Sequence, residues 1–355
     1  MGRLGKMKTF FSSGLIGDIP YILNEDDEFG IQEMEDKSST SQYMYQDDYI
    51  NYELDNELVG LYDIFRDIIF PDMDEYYEEI KHLPIWVQEA GQDSNCTLSV
   101  KDFKEYIEIN DIPNLYRHLY LVDCQFLVGT VQNLASAMED MFINYYKTLS
   151  SPDAENFFRS YPYEDGIIMV MSKEARSAST YTETYFTKAY SILDIMCKIC
   201  YEIENKCTNF ESYPKMKSSK VLWGNRKKLK IYETKNTIYE NCELIKSIES
   251  IRNETVHNGA WELNPKIFIR FDDSCEVERY TLFPYMSQGH LSTVKNRRHF
   301  FYLNTNDDNS LTRQYSHIKF NIIFPLIHKE FKLRLLETIN KIKWIYLMND
   351  QTKQL

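Results

Sequence analysis

The chain has 355 residues, of which 43% are apolar and 26% charged, a balance that excludes a disordered or low-complexity chain and gives length enough for two or three domains. Its formal net charge of −14 is unevenly placed. Residues 1–80 hold 20 of the 54 acidic and 5 of the 40 basic side chains, leaving 34 acids against 35 bases beyond them, so a polyanion-binding surface belongs to the neutral C-terminal part.

In chain order, residues 1–57 read as irregular, with acidic runs such as Asn24-Glu-Asp-Asp-Glu28 and few periodic apolar positions. The basic start is followed by a short apolar patch broken by Ser and Gly, which reads against a signal peptide. Leu54–Ile80 has helical rhythm interrupted at Pro71, and His82–Asp111 is a mixed connecting stretch. From Asn114 to Leu149 apolar residues recur at three and four, predicting one long amphipathic helix. Gly166–Met171 is short and apolar, a strand or a buried turn.

A second long helix is expected from Lys173 to Lys206. It carries Cys197-Lys-Ile-Cys200, a pair with metal-knuckle spacing but no second pair nearby, which reads as core cysteines. The odd total of 7 Cys suits reduced thiols in a cytoplasmic protein. After a basic loop, a third helix is predicted over Thr237–His257, stopped by Asn258-Gly259. Residues 262–314 alternate like two or three strands, and a final helix covers Gln314–Met348 with a kink or break at Pro325. No apolar run reaches the roughly 18 residues that span a bilayer, so no membrane partner is expected.

The fold class is thus mainly α, a helical bundle with a small extended or β insertion and an acidic N-terminal region. The organisation is 1–112 acidic and partly irregular, 113–348 helical with its 262–314 insertion, and 349–355 a tail.

Within the third helix stands Arg252-Asn-Glu-Thr-Val-His257. Arg followed five positions later by His has a chance expectation of roughly 0.26 in a chain of this composition, and requiring Asn after the Arg lowers it to roughly 0.02. Arg252 follows Ile248 by four and Ile245 by seven, which sets it near the apolar stripe, while Asn253 and His257 share a face. A cation and an imidazole at the edge of a buried stripe need partners and suit a dimer cleft.

Long helices with Arg-Asn-x3-His near the end of one of them resemble the HEPN superfamily of ribonucleases, and Lys188-Ala-Tyr-Ser-Ile-Leu-Asp194 resembles the corresponding upstream helix. The resemblance covers about residues 113–348 without the insertion. It implies a homodimer that pairs two copies of the motif and cuts RNA without metal or other cofactor, leaving 2′,3′-cyclic phosphate ends, as a toxin or antiviral effector. His257 would exchange protons with the 2′-OH or the leaving 5′-oxygen, work suited to imidazoles, which titrate near about 6.5. Arg252 would hold the scissile phosphate, and Asn253 would orient one of these groups.

Arg226, Lys227 and Lys228, with Trp223 nearby, and Arg297 and Arg298 are the candidate RNA contacts. A regulatory protein or antitoxin is a further expected partner. Toxins of this superfamily paired with nucleotidyltransferase antitoxins often carry Tyr two residues after the His, whereas this chain has Gly259. Two other classes stay open: a non-catalytic HEPN-type RNA- or nucleotide-binding module, and an interaction protein that uses its acidic N-terminus.

Overall fold

The structure, a computed structural model, describes residues 8–12, 15–19, 31–34, 41–45, 48–84, 99–110, 112, 114–149, 166–211, 229, 231, 235–259, 264–273, 275–284, 303–304, 311–312 and 317–351. Of the described part 75% is helical, so the fold is mainly α, as the periodicity predicts. Among these residues no helix is long and apolar enough to cross a membrane.

Contacts divide the chain into two units. One comprises Met1–Tyr52, Ala135–Tyr190 and Asn241–Leu333, the other Glu53–Leu134, Ser191–Glu240 and Arg334–Leu355.

The first unit opens with four strands where the sequence reads as irregular: β1 (Lys8–Ser12), β2 (Leu15–Ile19), β3 (Ile31–Met34) and β4 (Ser41–Tyr45). They form one sheet in the order β2-β1-β4-β3, parallel between β1 and β4 and antiparallel elsewhere. Each strand is only four or five residues long, too short for alternation to stand out against the acidic runs between them. Strand β5 (Gly166–Val170) joins β6 (Ile267–Asp272) and β7 (Cys275–Tyr280) in a second antiparallel sheet. The predicted 262–314 insertion is therefore anchored by a strand from outside it. Ile267, Ile269 and Phe271 alternate into the core from the central strand.

The unit also holds part of three long helices: α4 (Leu115–Leu149), α5 (Lys173–Glu204) and α7 (Phe320–Gln351). Phe324 lies 5.0 Å from Phe142, 5.2 Å from Tyr145 and 4.8 Å from Tyr185, each pair edge-on. This is the arrangement aromatic quadrupoles favour. Pro325 lies inside α7 without dividing it in two, so of the expected kink or break the break does not occur. Proline cannot donate to the carbonyl four residues back, which here belongs to Asn321. The Tyr146 hydroxyl donates to that oxygen at 2.7 Å instead, so the helix passes the proline with its backbone acceptor satisfied.

The second unit is wholly helical among its described regular elements: α1 (Asp48–Ile69), α2 (Met73–Ile80), α3 (Val100–Ile109) and the remaining parts of α4, α5 and α7. Leu54, Leu58, Leu61 and Phe65 form the buried stripe of α1, and Tyr62 donates to Gln132 of α4 at 2.9 Å. Helix α3 falls where a mixed connector was expected. Its start is set by Ser99, whose hydroxyl oxygen accepts from the Asp102 amide at 3.1 Å and whose hydroxyl donates to the Asp102 carboxylate at 2.6 Å.

Cys197 and Cys200 are buried within α5. Burial, then the neighbouring Cys197, raises the Cys200 thiol well above its ordinary range, and its Sγ lies 3.5 Å from the Tyr239 hydroxyl. It is a protonated core group, as the sequence reading has it.

Candidate active site

Helix α6 (Glu243–Asn258) carries the Arg-Asn-x3-His motif. It begins six residues later than the predicted Thr237. Asn236 takes a left-handed φ of 65°, the Thr237 hydroxyl oxygen accepts from the Tyr239 amide at 3.2 Å, and the Ile238 amide donates to Thr338 at 3.0 Å. The local Thr237 bond, with the long-range bond to Thr338, gives the backbone a turn in place of a first helical turn. The far end agrees with the predicted stop: Gly259 has φ 86° and donates to the Thr255 carbonyl at 3.2 Å, a glycine C-cap.

Leu244, Ile245, Ile248 and Ile251 bury one side of α6. Arg252 follows on the margin of that stripe, half-buried, and its guanidinium carbon stands 4.6 Å from the centre of the Tyr190 ring of α5. One of its nitrogens donates to the Asn253 side-chain oxygen at 3.0 Å. The cation is therefore held at two points, by a ring beneath its central carbon and by an amide at one nitrogen. Asn253 and His257 are both exposed, one turn apart, with Val256 beside them at 52% exposure. At 100° per residue the four side chains from Arg252 to His257 span roughly 140° of the helix surface. The arrangement offers a fixed cation and, five residues on at the other margin of that sector, an open imidazole, a combination suited to an anionic substrate that gives or takes a proton.

The structure thus brings Arg252, Asn253 and His257 onto one sector of one helix end. Arg226, Lys227, Lys228, Arg297 and Arg298 lie outside the described residues. Tyr190 was not singled out as a site residue, although it lies inside the helix segment that carries the resemblance. It is 62 positions from Arg252, and only the packing of α5 beside α6 joins them.

Gly259 holds the turn that ends the site helix. A methyl group there would meet no atom within 4 Å, so alanine is strained by backbone conformation alone. Gly259→Ala is expected to cost about 1 kcal/mol and to fray the last turn around His257, read as a fall in thermal midpoint.

The chain has no significant match among protein-family models, curated protein sequences or solved structures. Its own residues therefore carry the functional reading.

Proposed function

We propose that this protein is a metal-independent endoribonuclease of HEPN type, working as a homodimer in the cytoplasm as a toxin or antiviral effector under a regulatory protein or antitoxin. The observation that carries the reading is the joint placement of Arg252, Asn253 and His257. The guanidinium is oriented by Asn253, and the imidazole is open to solvent one turn further on the same helix end. A bidentate planar cation neutralises the phosphodiester as charge builds on its oxygens. His257 takes the 2′-hydroxyl proton or returns one to the departing 5′-oxygen. The bond from phosphorus to the 2′-oxygen forms as the bond to the 5′-oxygen breaks, leaving a 2′,3′-cyclic phosphate and a 5′-hydroxyl. The homodimer follows from the resemblance, and a second copy laid across this face would add a second Arg and His.

The test is incubation of the purified protein with end-labelled RNA in EDTA, beside DNA of the same sequence and beside His257→Ala. RNA cleavage that persists in EDTA, spares DNA and disappears in the variant is the expected result. Cleavage that needs added metal, or that His257→Ala retains, removes the assignment.

A further inference from the structure

Resting on that reading, we propose that Tyr190 is a positioning residue of the site, acting on the substrate only through Arg252. The motif by itself supplies a cation on a long, flexible side chain. An arginine free to sample its rotamers would give up ordering entropy each time it met a phosphate. Here that ordering is already built in. The Tyr190 ring lies 4.6 Å from the guanidinium carbon, which holds the cation over the ring by cation–π contact. Asn253 accepts from one nitrogen at 3.0 Å, which limits rotation of the cation there. With the cation held over the ring and one nitrogen engaged, the other donors are presented from a set position, as bidentate recognition of a phosphate requires.

The two supports come from different helices. Asn253 is next to Arg252 on α6, so it travels with it. Tyr190 stands on α5, where Ala189 beside it is buried and anchors the backbone. The direction of the guanidinium is thereby referred to the core of the first unit and not to the end of α6 alone. The role is assigned to the ring, which touches Arg252, and not to the phenolic hydroxyl. That separates Tyr190 from a general acid or base.

The experiment compares Tyr190→Leu and Tyr190→Phe in the EDTA cleavage assay, alongside wild type and His257→Ala. Tyr190→Leu is expected to lower kcat on the order of tenfold with a smaller change in KM, since misplacement of a transition-state contact falls on the chemical step. Tyr190→Phe, which keeps the ring, is expected to restore the wild-type rate. A second readout needs no activity. In the wild type and in Tyr190→Phe, the Arg252 Nε–H resonance carries the ring-current shift of a group over an aromatic face, and Tyr190→Leu removes it.

The positioning role is overturned if Tyr190→Leu cleaves like wild type, if Tyr190→Phe is as impaired as Tyr190→Leu, or if the Arg252 resonance is unmoved by loss of the ring. Failure of the ribonuclease reading looks different. There His257→Ala cleaves like wild type, or no protein cleaves, whatever the resonance shows.

Discussion

Glu139→Leu is expected to destabilise the protein by roughly 3–5 kcal/mol, the penalty for leaving a buried charge without its counter-ion. Glu139 of α4 is buried, and its carboxylate accepts from Lys332 at 2.6 Å and meets His328 Nε2 at 2.8 Å, both on α7. His328 is wholly buried, with Phe142 stacked on its ring at 4.4 Å and the Tyr185 hydroxyl 3.1 Å from its Nδ1. Removing the carboxylate takes from the buried Lys332 ammonium its 2.6 Å counter-ion, at a depth where water poorly replaces it. Against a typical total of about 5–15 kcal/mol, that is a large share, and denaturant unfolding would show it as a shift in midpoint.

Replacing the set together, Glu139→Leu with His328→Phe and Lys332→Met, should be far milder, because well-packed apolar groups avoid the desolvation that the charges carry. If the single and triple variants unfold at the same denaturant concentration, the ion network is not what holds these helices. The same network has a pH signature. Burial pushes the Glu139 carboxyl up, but the neighbouring His328 and Lys332 charges prevail and hold it well below the ordinary carboxylate value of 4.5. The stabilisation is therefore full above about pH 4.5, and it is lost as acid carries the pH down through the lower folded value. Glu139→Leu should lack this part of the acid-unfolding limb.

What was legible in the sequence follows from physical range. Helices α4, α5 and α7 declare themselves because apolar residues at three and four must line one side of a helix whatever it packs against. The end of α6 was legible for a local reason too, since Gly259 is a residue that accepts φ 86°. Its start was not, because Asn236 and Thr237 spend their hydrogen bonds on a turn that the apolar rhythm of Ile238 disguised. Pro325 locally predicts a kink or break, of which the break does not occur, and a distant residue, Tyr146, supplies the donor the proline lacks. Glu139 and Lys332 are 193 positions apart, and on their own helices each reads as an ordinary solvated charge. The candidate site divides the same way. Three of its members sit within six residues, while the ring that orients Arg252 comes from another helix.

The largest functional effect is expected at His257. His257→Ala should slow RNA cleavage by on the order of 10²–10⁴-fold, the range in which a positioned general acid or base contributes, and Arg252→Ala should fall in a similar range through loss of the charge that meets the phosphate. The imidazole is exposed in the last turn of α6, so its removal opens no cavity and the variant should keep its thermal midpoint. Arg252→Ala is a less clean probe, because it also uncovers the face of Tyr190 and frees Asn253. For that reason Arg252→Lys is the better second variant. It keeps a positive charge but not the planar fork, and it should bind RNA while cutting slowly. The Arg252→Lys, His257→Ala double variant should be hardly slower than His257→Ala alone, because groups that act in one transition state do not add their effects. Strictly multiplicative losses, with each variant still turning over, would mean that the two residues serve separate events and that phosphate capture and proton transfer do not occur in one site.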